Sequence, residues 1–139
     1  MDAFDKSLPM MLYRTLDTII PRYRRVFKEH NISEQQWRIL RVLWEDEKCT
    51  TAKLASKALL PSPSLVGIID RMMSKGLVTR DRSEEDRRVV RIGLTAKGKY
   101  LEAELKPQID QVYEKMMSQC DSKDWHIMMT TLQTIVDAK

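Results

Sequence analysis

The sequence predicts a mainly α-helical chain with one small β-hairpin, its middle flanked by long apolar helices. Two patterns and one asymmetry predict it. Apolar residues recur at spacings of three and four along most of the 139 residues. The period drops to two only between Leu77 and Leu94. The net charge of +4 is unevenly divided, with +1 over residues 1–50, +6 over 51–100 and −3 over 101–139.

Local signals justify each element. Leu8, Met11, Leu12, Thr15, Leu16, Ile19, Ile20, Tyr23 and Val26 share one face of a first helix of about five turns. Pro21 removes a backbone donor inside it and predicts a kink, and Asn31 ends the pattern. Ser33 and Gln36 form a capping box for a second helix, with Trp37, Leu40, Leu43 and Trp44 inward. Thr50 caps a short third helix through Lys53, Leu54, Ala55 and Ala58. Pro61-Ser62-Pro63 reads as stop, cap and first-turn proline for a fourth helix, which Gly76 terminates. Leu77 to Arg82 and Val89 to Leu94 make two strands about the charged turn Ser83 to Arg88. Thr95 caps a long helix carrying Leu101, Leu105, Ile109, Val112 and Met116, with a bend expected at Pro107. Asp121 or Ser122 opens a last helix with Trp125, Met128, Met129, Leu132, Ile135 and Val136. No repeat and no long linker divides the chain.

Composition excludes several classes. With 42% apolar and 32% charged residues, the chain is globular rather than disordered. Four glycines leave no phosphate-cradling loop and count against a β-barrel. No apolar run approaches the ~18 residues of a membrane span. Residues 1–8 lack a signal peptide's apolar core, so the expected location is the cytoplasm, with no membrane partner. Cys49 and Cys120 make neither a metal spacing nor a disulfide framework, and His30 and His126 are far apart. No metal and no cofactor are therefore expected. No G-x-S-x-G, Gly-rich phosphate loop or H-E-x-x-H occurs, and the paired Glu84 and Glu85 sit in an exposed turn. An enzyme is not expected.

Third helix, fourth helix and basic hairpin together have the order of a winged helix-turn-helix. On a wheel of about 100° per residue, Ile68, Ile69, Met72 and Met73 cluster around Leu65. Gly67, Asp70, Arg71 and Ser74 fall opposite. Ser62 and Ser64 stand at the N-terminal end, where a recognition helix meets base edges. Gly67 lets DNA approach closely, Val66 can touch a thymine methyl, and Arg71 and Lys75 can reach phosphate. A core helix with a polar outer face explains the same pattern. The hairpin favours DNA, because Arg80, Arg82, Arg87, Arg88 and Arg91 lie close together in sequence. Arginine at a hairpin tip can enter the negative minor groove. Asp86, two residues before Arg88, is spaced to clamp its guanidinium.

The stretch from Ser33 to Gly98 resembles the MarR family of winged helix-turn-helix transcription regulators. The matching text is SEQQWRILRVL, TTAKLA, SPSLVGIIDRMMSKGLVTR and SEEDRRVVRIGLTAKG. A helix ending in K-G-L-V, a hairpin with D-R-R and a closing L-T-x-K-G carry most of the specificity. The text EQQWRILR is most similar to the subgroup that controls aromatic-acid catabolism. The resemblance implies a homodimer on a pseudo-palindromic operator in double-stranded DNA, usually a repressor released by a small ligand. By position it implies groove contacts from Ser62, Ser64, Val66 and Arg71. It implies a wing arginine at Arg88, positioned by Asp86, with Arg87 beside it. Family members often carry a basic residue where Ser62 stands and Thr where Val66 stands, so base preference does not transfer.

The expected plan is thus a winged helix-turn-helix lobe at 32–98 between dimerisation helices at 1–31 and 99–139. Without the resemblance, the outer helices already carry more apolar surface than a DNA-binding lobe needs, including Met11, Met116, Met117, Met128 and Met129. Two-fold pairing would bury it. A small-molecule effector needs a pocket, and an aromatic carboxylate needs apolar walls and a cation. Trp37 and Trp44 are candidate walls, with Arg41 as first anchor and Arg14, beside Tyr13, as second. The plain alternative is that the tryptophans are core and the arginines solvated. The rival function is a redox switch through Cys49, placed in a loop next to Lys48, or through Cys120.

Overall fold

The structure, a computed structural model, describes residues 3–138. A 3-10 turn, Phe4–Lys6, leads into α1, Leu8–Glu29. Then come α2 (Glu34–Asp46), β1 (Lys48–Thr50), α3 (Thr51–Ala58) and α4 (Ser62–Ser74). Strands β2 (Val78–Arg82) and β3 (Val90–Leu94) precede α5 (Ala96–Met117) and α6 (Ser122–Asp137). The architecture is a winged helix-turn-helix with long helices on either side.

Most boundaries sit where the caps put them. Gln36 N donates to Ser33 Oγ (3.1 Å) while Ser33 N donates to Gln36 Oε1 (3.2 Å), a closed capping box. Thr50 accepts from Lys53 N and Thr95 from Gly98 N. Asp121, not Ser122, caps α6. Gly76 has φ +73, and the Gly76 and Leu77 amides close back on Met73 O and Met72 O. Helices α1 and α5 run unbroken through Pro21 and Pro107.

Other expectations are corrected. Pro61 holds the cap position of α4, and its carbonyl already accepts from Ser64 N. Ser62 is therefore the first helical residue, and its side chain does not cap. The sheet has three strands in the order β1-β3-β2, all antiparallel, where the sequence suggested two. Cys49 lies in the extra strand, opposite Ile92, and not in a loop. Met73 is 38% exposed, at the edge of the apolar face of α4. Met116 is buried within one chain, so it is not among the surplus apolar residues.

The core is continuous. Phe27, Ile39, Leu40, Leu43, Leu54, Ile69, Met72, Ile92 and Leu105 are the largest fully buried side chains, so the last turn of α1 and the first half of α5 help to build the lobe. A β-carbon on Gly98 would collide with the Leu77 carbonyl, which is how closely α5 starts against the α4–β2 turn. Trp44 Nε1 donates to Gly98 O (2.9 Å) at the same junction. By contrast, α6 buries no residue, and Leu8, Met11, Leu12 and Leu16 of α1 are exposed. No helix among the described residues is long and apolar enough to cross a membrane.

Candidate nucleic-acid interface

The turn between α3 and α4 is set by a side chain from a third helix. Arg38 of α2 donates from Nε to Ala58 O (2.8 Å) and from Nη2 to Leu59 O (2.5 Å). These are the carbonyls that a helix end leaves unpaired. Leu59 takes φ 55 there. The turn thereby fixes how α4 stands against the lobe. On α4, Ser62, Ser64, Val66 and Arg71 are exposed and Gly67 is half-buried. A methyl at Gly67 would lie 3.6 Å from Arg71 Nη1, so the low spot there is real but not compulsory.

The wing is braced to α4 and pre-shaped at its tip. Arg80 donates from Nη2 to Asp70 Oδ1 (2.6 Å), tying β2 to the outer face of α4. Lys48 Nζ reaches Asp81 Oδ2 (2.9 Å) and ties β1 to β2 across the sheet. In the loop 83–89, Arg82 Nη1 donates to Arg87 O (2.9 Å). Arg88 donates to Asp86 from its backbone N (3.0 Å), Nε (3.1 Å) and Nη2 (3.2 Å), yet its side chain is 92% exposed. The side-chain bonds from Arg88, then its backbone N–H, hold the Asp86 carboxyl below the usual carboxylate range. The two-residue spacing thus becomes a bidentate clamp. Ser62 and Val66 from α4 share one cleft of about 360 Å³ with Arg80 and Arg82 from the wing, so helix and wing form one surface. Lys75 is placed differently from the expected phosphate contact. Its ammonium turns into the protein, onto Asn31 O and Gln36 Oε1.

The candidate effector residues are only partly gathered. Trp37 is half-buried, 5.0 Å from the Phe27 ring and stacked 5.9 Å from Tyr23. Its Nε1 is buried with no acceptor. Burial, then Tyr113 close by, raise the Tyr23 hydroxyl above the ordinary tyrosine value. Arg41, one turn along α2, is exposed with Nη2 3.7 Å from Glu45. Arg14 is exposed on the N-terminal half of α1, and no hydrogen bond or ion pair among the described residues joins it to either. Trp44 is half-buried at the α2–α5 junction.

The two thiols have opposite environments. Cys49 is 5% exposed. Burial, then the Asp46 carboxylate, push its thiol up, while Lys53 and Lys57 pull it down less. Lys48, expected to favour the thiolate, is engaged with Asp81. Cys49 is therefore a core residue of low nucleophilicity. Cys120 is exposed in the turn between α5 and α6.

Residues 32–90 match the MarR family. The chain is similar to the homoprotocatechuate degradative operon repressor of Escherichia coli, 36% identical over 113 residues that cover 81% of this chain and 76% of that one. It is also similar to the organic hydroperoxide resistance transcriptional regulator of Bacillus subtilis, 36% identical over 97 residues, covering 70% and 66%. Among solved structures it resembles NadR in complex with 4-hydroxyphenylacetate, with a TM-score of 0.82 at 27% identity over 100% of this chain and 99% of that one. A helix-turn-helix set by Arg38, a wing braced to it, and this level of identity make the chain a member of the MarR family, a DNA-binding transcription regulator and not an enzyme.

Proposed function

We propose that the chain is a homodimeric repressor that holds a pseudo-palindromic operator and releases it when a small aromatic carboxylate binds. The Asp86–Arg88 clamp carries the DNA half of this reading. It orients an exposed guanidinium before any DNA arrives, on a wing already tied to α4 by Asp70 and Arg80. Ser62, Ser64, Val66, Gly67 and Arg71 then face the major groove. Arg88, with Arg87 and Arg82 beside it, serves the minor groove and the phosphates. The bare apolar faces of α6 and of the first half of α1 support pairing of two copies.

Trp37 supports the effector half. A buried indole N–H without an acceptor is costly, and a ligand oxygen would satisfy it. Arg41 supplies the cation from the same helix, and Arg14 is the second candidate. One relative represses a homoprotocatechuate degradative operon and another is seen with 4-hydroxyphenylacetate, which favours a hydroxylated arylacetate. Such a ligand acts by preferring a dimer whose recognition helices are wrongly spaced for DNA.

A thermal-shift series with hydroxylated benzoates, cinnamates and phenylacetates tests this. One class should stabilise the protein and release DNA, and Arg41→Ala should abolish both effects. No stabilisation by any of them, with Arg41→Ala silent, removes the aromatic-acid reading. The thiol-switch alternative then rests on Cys120. Release of DNA by an organic hydroperoxide in the wild type, but not in Cys120→Ser, would favour it.

A further inference from the structure

We infer that Lys75 is a positioning residue for DNA recognition, its side chain holding the end of α4 to the α1–α2 junction, and not a phosphate contact. It rests on the reading of α4 as the recognition helix. Lys75 is the residue that caps the C-terminus of α4. Its Nζ donates to Asn31 O (2.5 Å), in the turn between α1 and α2 where Asn31 takes φ 56. The same Nζ donates to Gln36 Oε1 (2.9 Å).

Gln36 explains the direction of the lysine. It is the one buried polar side chain in the core of the described residues, at 4% exposure. Its single oxygen accepts both from Ser33 N, closing the capping box, and from Lys75. With two donors on its two lone pairs, the oxygen of this buried amide is fully used. From the opposite side, Lys97 in the first turn of α5 donates its Nζ to Lys75 O (2.9 Å). Thr95 adds a bond from Oγ1 to Gly76 O (2.6 Å) and one from N to Leu77 O (3.1 Å). The α1–α2, α4–β2 and β3–α5 junctions therefore meet on one ammonium and its own carbonyl neighbourhood.

The chemistry suits lysine. A compact cation with three donors can serve two acceptors in different directions, whereas a planar guanidinium fork cannot reorient so freely. Carbonyls at the end of a helix favour a cation. Burial, then the neighbouring Arg71, hold the ammonium below the usual lysine range, as its inward position requires. A cleft of about 460 Å³, lined by His30, Lys75, Lys97 and Tyr100 among others, opens on the same junction. Packing therefore does not lock that side. A rotation of α1 moves Asn31 O, a rotation of α5 moves Lys97, and both pull on the last turn of α4.

The test uses the full chain with Lys75→Met, titrated with a selected duplex and a random duplex across a salt series. Thermal stability and mass in solution are measured alongside. The expected result is a folded protein of unchanged mass whose affinity for the selected duplex falls about tenfold. Its affinity for the random duplex and its slope of log K against log salt should not change. A phosphate contact would instead weaken both duplexes alike and flatten the slope by about 0.9, which overturns the proposal. A drop in melting temperature with unchanged affinity of the folded protein also overturns it. Gln36→Met removes one of the two acceptors and should cause part of the same loss of specific affinity, adding nothing on top of Lys75→Met; full additivity overturns the proposal. If Lys75→Met does not fold, Gln36→Met and Lys97→Met are read by the same criteria. Gln36→Glu keeps the acceptor and should keep specificity. A wild type that never prefers the selected duplex is a separate result, and it removes the recognition-helix reading and this one together.

Discussion

Helices α2 and α6 carry similar apolar stripes and meet opposite environments. Helix α2 buries Ile39, Leu40 and Leu43 completely. Helix α6 buries nothing and leaves Ile127, Met128, Met129, Ile135 and Val136 between 42% and 65% exposed. Periodicity states that a helix has an apolar face. It does not state whether the same chain covers it. The lobe around α2 is complete in one chain, while α6 offers its face outward, as a subunit interface requires.

Substitutions can break this contrast, and the largest effect should come from the lobe. Leu43→Ala empties a fully buried site and should cost about 2–5 kcal/mol of unfolding free energy, measured by denaturant titration. A much smaller cost would mean that α2 is not the centre of the core. Ile135→Glu should leave the lobe folded, as seen by circular dichroism, but halve the mass in solution. Operator affinity should then fall roughly a hundredfold, because each half-site binds alone. An intact dimer in that variant would put the interface elsewhere.

Smaller effects sharpen the picture of the wing and the thiols. Arg88→Ala should weaken operator binding by about tenfold or more without loss of fold. Unchanged affinity would remove the wing assignment. Under native conditions Cys120 should react with a thiol reagent and Cys49 should not, until the protein is unfolded. Fast reaction of Cys49 would contradict its place in β1. The smallest effect is a flat one. The Asp86 carboxyl is depressed, so its clamp is present above the ordinary carboxylate value and is lost only as pH falls through the lowered one. Its contribution to operator affinity should therefore not change between about pH 5 and 8.

Features made by neighbours in sequence were legible before the structure. The caps at Ser33, Thr50 and Thr95, the stop at Gly76 and the Asp86–Arg88 pair all act over two or three residues, so residue type and spacing reveal them. Features made by distant partners were not. Strand β1 is three residues long and has no period of its own; it exists because β3 pairs with it. Arg38 finds the end of α3 twenty residues away, and Lys75 finds Asn31 forty-four residues back. A lysine near a helix end reads as solvent-facing until its acceptors are known. Pro61 took the cap from Ser62 because its carbonyl had already closed the turn. Arg14 lies on a helix whose apolar face is open in the single chain, so its role depends on what covers that face.

The most direct measurement is selection of bound duplexes from a random pool, with the number of chains per duplex determined on the winner. The account predicts an enriched pseudo-palindrome with half-sites centred about 10 base pairs, or a multiple of that, apart. Two chains should bind it, and Arg88→Ala should lose it. No enriched sequence, or a lone asymmetric site held by one chain, would contradict the account.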